Sequence, residues 1–143
     1  MTETTETISA ELSALDRLVG TWAVTGGAEG VVTYEWMPGG WFLLQHVHLV
    51  QDGHEIDGLE VIGALRPFGE PAGEDVVSRF YGSAGETFDY VYELVGDTLT
   101  IWGGAKGSPA YFRGTLDTAG DSLVGEWVYP GGGGYASTMT RTA

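Results

Sequence analysis

The chain contains no cysteine. Disulfides, thiolate zinc sites and a cysteine nucleophile are therefore excluded. Basic residues are scarce as well: 6 Lys and Arg stand against 20 Asp and Glu, for a formal net charge of −14. A surface this acidic repels phosphates and anionic headgroups, so neither nucleic acid nor a membrane is expected as a partner. No apolar run approaches the ~18 residues of a membrane span. The opening MTETTETISAEL has neither the basic nor the apolar region of a signal peptide, and a soluble cytoplasmic protein is expected. The glycine-rich segments GGAEG (26–30) and GGGG (131–134) do not lead into helices, so they are not phosphate loops. There is no Gly-x-Ser-x-Gly elbow, and the acidic residues near 70–75 do not match a calcium-binding loop.

What is abundant is glycine, with 24 residues of 143, set in a chain that is 43% hydrophobic. That length and apolar content suit one globular domain with a single core. The glycines keep no three-residue period and fall between short apolar runs, as the turns of all-β proteins do. Residues 1–7 read as a disordered polar tail, and 8–143 as one domain. Ile8, Leu12, Leu15 and Val19 recur near helical spacing, Ser9 suits an N-cap and Glu11 the first turn, so a short helix is expected over about 9–18. Its apolar stripe must cover something, such as one open end of a barrel.

After Gly20 the period changes to two. Ten strands are expected, at 21–25, 29–37, 41–51, 55–65, 75–81, 86–94, 98–102, 110–116, 122–129 and 135–141. Gly58 and Gly63 weaken the fourth and suggest bulges or bends. No helical pattern separates the strands, so they are antiparallel. Closing the sheet removes its edges, which favours an up-and-down barrel of roughly ten strands over a sandwich.

The stretch LDRLVGTW (15–22) runs the helix into Gly20-x-Trp22 on the first strand, and resembles the opening of the lipocalin and fatty-acid-binding (calycin) barrels. With PGGWFLLQ (38–45) and GEWVYPGGGGYASTMTR (125–141), the pattern is similar to the bacterial lipocalin-like proteins of the uncharacterised DUF1579 type, over nearly the whole chain from Leu15. The resemblance implies a closed barrel with an internal cavity and no particular reaction. It also implies that Trp22 lies across the barrel floor with a late basic residue packed on it, for which Arg141 is the candidate. The nitrobindin-type barrel, a more distant relative in this reading, binds haem through a His near its C-terminus. Here no His follows His54 and the last strand offers only Met139, so haem is not expected, nor any other cofactor.

Several residues could carry chemistry. His46 and His48 share one strand face with Phe42, Leu44 and Val50. The pair could contact a ligand head group or act as a base. It could bind metal if Glu60 or Asp57 supplied a third ligand, or it could be structural; no metal site is assigned. Glu60 lies in an apolar row, where burial would raise its pKa and suit acid–base work. The more apolar opposite face (Leu59, Val61, Leu65) nevertheless argues that Glu60 faces solvent. Arg79 and Arg113 are scarce cations on strands: turned inward beside Tyr90 and Tyr92 they would clamp a carboxylate, and turned outward they would pair with Asp89, Glu93 or Glu126. Five Trp and seven Tyr, Trp36 and Trp127 among them, are a heavy aromatic load for a core or for the wall of an apolar cavity.

The expected function is binding of a small apolar or amphipathic molecule inside the barrel, through inward groups among His46, His48, Arg79, Arg113, Tyr90 and Tyr92, with Trp36 and Trp127 as walls. The first alternative is a cyclase or isomerase for a hydrophobic substrate in the same cavity, with His46, His48 or Glu60 moving a proton. The second is a structural barrel with a filled interior. Self-association into a homodimer is left open.

Overall fold

Ser9 starts the fold: its hydroxyl oxygen accepts a hydrogen bond from the Leu12 amide (3.1 Å), capping helix α1 (Ala10–Ser13) with Glu11 in the first turn. The helix tightens into a 3₁₀ turn over Ala14–Leu18 and ends where the Val19 amide donates to the Asp16 carbonyl. Leu12, Leu15 and Leu18 all point one way and are fully buried. Burying a leucine is worth roughly 1.5–3 kcal/mol, which is what holds so short a helix in place. The computed structural model describes residues 7–143. Apart from Thr7, the polar tail expected at 1–7 lies outside the described residues.

Ten strands follow: β1 (Gly20–Gly26), β2 (Glu29–Trp36), β3 (Phe42–Gln51), β4 (His54–Gly63), β5 (Val76–Gly82), β6 (Thr87–Val95), β7 (Thr98–Gly103), β8 (Tyr111–Leu116), β9 (Ser122–Val128) and β10 (Tyr135–Arg141). Each pairs antiparallel with the next, and β1 pairs with β10 from Trp22↔Arg141 to Gly26↔Ser137. The sheet is thus a closed ten-stranded up-and-down barrel, as the strand spacing led us to expect. The residues that alternate inward include Trp22 and Val24 on β1, Val32 and Tyr34 on β2, Leu43 on β3 and Ile62 on β4, all buried. The leucines of the helical segment join Trp22, Leu43, Ile62 and Leu116 in one apolar cluster and stopper one end of the barrel. The turns at 27–28, 52–53, 83–86, 104–110 and 129–134 ring the opposite end. Among the described residues, no helix is long and apolar enough to cross a membrane.

Of the bulges or bends expected at Gly58 and Gly63, no bulge forms. The β3–β4 ladder runs unbroken from Phe42↔Gly63 to Gln51↔His54, and β4–β5 runs on from Gly58↔Gly82. These glycines make room for rings instead. A Cβ on Gly58 would strike the Phe80 ring inside the barrel, and one on Gly63 would meet the Phe42 ring at 2.7 Å outside it. Gly114 and Gly125, paired across β8 and β9, likewise seat the Phe112 ring. Gly58→Ala should therefore force Phe80 from its site and cost about 1–3 kcal/mol, the usual range for an overpacked core. A denaturant midpoint unchanged from wild type would refute this.

Candidate functional site

Above the leucine stopper the barrel is not filled. It encloses a cavity of about 590 Å³, bounded by residues from all ten strands. That size is within the usual range of small-molecule sites. One wall is aromatic: Trp127 lies 5.5 Å from Phe112 and 6.0 Å from Tyr90 between ring centres, and stacks on Tyr129 at 6.3 Å. Phe80 and Phe88 (6.4 Å apart) extend this wall, and Phe88 and Tyr129 remain exposed near the mouth. Val24, Val32, Val47, Leu49, Ile56 and Ile101 supply aliphatic surface.

Set into this apolar lining is an arc of polar groups. The register places Tyr34 opposite Gln45, and Gln45 opposite Glu60, so three adjacent strands line them up at one level. Gln45 Nε2 donates to the Tyr34 hydroxyl oxygen at 2.9 Å. On the other side, the Tyr92 hydroxyl on β6 donates to Glu60 Oε2. Glu60 is only 5% exposed. Burial raises its pKa, and only in part do Tyr92 and the nearby Ser78 offset this by favouring the charged form. Ser78 Oγ makes no well-formed hydrogen bond among the described residues although it is buried beside that carboxyl. Burial, reinforced by the charge of Glu60, raises the phenols of Tyr34, Tyr90 and Tyr92, and burial pushes Tyr135 up to about 12. The phenols are therefore protonated hydrogen-bond donors at neutral pH. Among the described residues, no Lys, Arg or His lines the cavity.

A comparison with protein-family models finds no match for this chain. A comparison with curated proteins finds none either. The reading of function rests on the barrel and its interior.

The residues singled out in the sequence divide sharply. Tyr90, Tyr92 and Trp127 line the cavity, and so does Glu60. The expectation that Glu60 faces solvent is corrected: the apolar face of Leu59 and Val61 is the outer one, where Val61 lies in a surface groove with Phe42, Val77 and Leu65. The inward placement of His46, His48, Arg79 and Arg113 is also corrected. With Leu43, Gln45 and Val47 inside, strand alternation sends His46 and His48 outside. There His46 Nε2 lies 3.1 Å from Glu35 Oε1, and His48 Nδ1 bonds Asp57 Oδ1, which raises the His48 pKa. No three metal-ligating side chains come together among the described residues. Arg79 forks onto Asp89 at 2.7 and 3.1 Å on the outer wall. Arg113 lies 4.9 Å from the Tyr111 ring and donates to Thr100 Oγ1 at 3.3 Å, also outside. The small inner face of that strand, with Gly114, is what admits the Phe112 ring.

Trp36 belongs to the stopper and not to the cavity: its indole N–H donates to Asp16 Oδ1 at 2.8 Å, tying β2 to the helical segment. At the same end the Arg141 guanidinium lies 4.3 Å from the centre of the Trp22 ring. It donates to the carbonyls of Arg17 (2.7 Å), Gly120 (3.0 Å) and Val19. Gly20, at φ +131°, turns the chain from the helical segment into β1, and a Cβ there would strike Arg141. Gln45, Tyr34 and Ser78 were not singled out from the sequence. Gln45 had a usable signal, being the lone polar side chain between Leu43, Val47 and Leu49 on its face.

Proposed function

We propose that the barrel binds a small apolar or amphipathic molecule in its interior, in the manner of lipocalin-like proteins, and does so in the cytoplasm. The observation that carries this reading is the unfilled cavity, walled by Trp127, Tyr90, Phe80 and Phe112, with Glu60, Gln45 and two phenols at one level. An apolar body gains roughly 25 cal/mol per Å² of surface withdrawn from water, and the polar arc fixes its orientation. A solely structural barrel would gain stability by filling this space with side chains.

The Glu60–Tyr92 pair supports a second reading, proton transfer in a hydrophobic substrate. A carboxyl whose pKa burial raises is better suited to donate a proton at one position and take one up at another, as an isomerase or cyclase requires. His46 and His48 have no part in that reading, since both lie outside the barrel.

N-phenyl-1-naphthylamine, which fluoresces in apolar surroundings, tests the binding reading. Wild-type protein should take it up saturably at one site. Val47→Trp, which places an indole in the cavity, should weaken uptake at least about tenfold, the effect of ~1.4 kcal/mol. His48→Ala and Arg79→Ala, on the outer wall, should leave it unchanged. Absence of saturable uptake by the native protein, or uptake indifferent to Val47→Trp, would defeat the proposal.

A further inference from the structure

Among the described residues the cavity is lined by Glu60 and Asp89 and by no cation, and Asp89 is spent on Arg79 at the outer wall, which leaves Glu60 as the carboxyl set in the interior. A ligand carboxylate placed at the polar arc would face Glu60 with nothing to neutralise either charge. The arc is instead rich in acceptor oxygens: the Glu60 carboxyl, the Gln45 carbonyl and the Ser78 hydroxyl. Glu60 Oε2 accepts from the Tyr92 hydroxyl, and the nearby Ser78 hydroxyl also favours the charged carboxyl. Gln45, directly across the β3–β4 ladder, spends its N–H on Tyr34, leaving its carbonyl oxygen without a donor among the described residues. The Ser78 hydroxyl, buried and without a well-formed hydrogen bond, lies on the other side of Glu60. A group with several N–H donors and a positive charge suits this set.

We propose that the interior selects apolar amines, seated with the ammonium group against Glu60 and Gln45 and the hydrocarbon or aryl body against the Trp127 wall. This rests on the binding reading above and names its ligand class. The charge pair is sheltered from water by the aromatic wall and has Tyr92 to hold the second carboxylate oxygen, the condition under which a buried ion pair is favourable. The net charge of −14 draws cations toward the protein as a whole, but salt screens that attraction, whereas contact with Glu60 is screened far less. The groups facing Glu60 are Gln45 on β3, Ser78 and Phe80 on β5, Tyr90 and Tyr92 on β6, and Tyr34 on β2. The raised phenols of Tyr34, Tyr90 and Tyr92 keep their protons well beyond the ordinary carboxylate range, so among these facing groups it is Glu60 whose charge responds first as pH rises. Burial favours its neutral form in the empty barrel. Seating an ammonium then expels the carboxyl proton to solvent, and amine binding strengthens as pH rises through the Glu60 titration.

The test is displacement of N-phenyl-1-naphthylamine by dodecylamine, dodecanol and dodecanoate, which share one tail and differ in the head. At high salt, dodecylamine should displace the probe at concentrations at least about tenfold below dodecanol, with dodecanoate weakest. In Glu60→Gln, whose fold is checked by its melting curve, the amine should fall to the level of the alcohol while the probe itself still binds. The wild-type protein gives a second, independent readout: the preference for amine over alcohol should shrink as pH is lowered toward the usual carboxylate range. Equal displacement by all three, a lead for dodecanoate, an amine preference that survives in Glu60→Gln, or one that does not change with pH would overturn the inference while leaving the binding reading standing. Failure of the wild-type protein to take up the probe at all would overturn both.

Discussion

Trp22→Ala is expected to destabilise the barrel by about 3–5 kcal/mol, the range for removing a fully enclosed aromatic side chain. Trp22 has no exposed surface. Three layers meet on it. Its indole N–H donates to the Leu18 carbonyl at 2.8 Å, anchoring the last turn of the helical segment. Leu12, Leu15 and Leu18 belong to the same apolar cluster. Arg141 covers the ring, and through its bonds to Arg17, Val19 and Gly120 joins the helical segment, the β8–β9 turn and the closing strand. Without the indole, the cluster keeps a void and the guanidinium loses its cation–π partner, worth a further ~0.5–2 kcal/mol. Trp127→Ala provides the contrast. It borders space that is already empty, so it should cost less stability than Trp22→Ala while weakening probe uptake. Urea unfolding of the two variants measures the difference, and a Trp22→Ala loss below that of Trp127→Ala would contradict a stopper that holds the barrel together.

Glu60→Gln should reverse the usual expectation for removal of a hydrogen-bonded core residue and stabilise the protein at pH above the Glu60 titration. The Glu60 pKa is raised in the folded state by burial, so the folded protein binds a proton that the unfolded chain releases sooner. Between the unfolded and folded pKa values the unfolded state therefore holds fewer protons, and stability falls as pH rises. The stabilising contribution of the neutral acid is complete below the unfolded pKa near 4.5 and is lost as pH climbs through the folded value. Gln cannot ionise and can still accept from Tyr92. The variant should gain about 1–3 kcal/mol over wild type at pH above the Glu60 titration, the desolvation scale of a buried polar group, and the gain should vanish in acid. Melting temperatures of both proteins across pH measure this. A wild-type advantage at every pH would show that the carboxylate is better satisfied in the barrel than its burial implies.

Much of the fold was legible in the chain because it rests on local chemistry. Ser9 and Glu11 mark a helix start by their own hydrogen-bonding and charge, and the cap forms as expected. The change from helical spacing to alternation after Gly20 marks where β1 begins, and the ten strands lie within two residues of the sequence reading at each end. The glycines were harder. At Gly58 and Gly63 a missing side chain signals either a bulge or a neighbour that needs the space, and only the position of Phe80 and Phe42 distinguishes them.

The cavity was less legible, for a different reason. Alternation establishes which residues share a face of a strand, but not which face is the inside. On β3 both faces are apolar enough to be buried: Leu43, Val47 and Leu49 against Phe42, Leu44 and Val50. Choosing the second places His46 and His48 in the cavity, and choosing the first places Gln45 there, so one decision exchanges the whole set of polar groups. The same reversal moves Arg79 and Arg113 to the outer wall and Glu60 to the interior. The periodicities, the turns, the helix cap and hence an all-β antiparallel chain follow from the order of amino acids alone, because each depends on residues close in sequence. The inward faces, the meeting of Glu60 with Tyr92 across 32 positions of chain, and the volume left unfilled come only with closure of the barrel, because each depends on which strand lies beside which and what the opposite wall contributes.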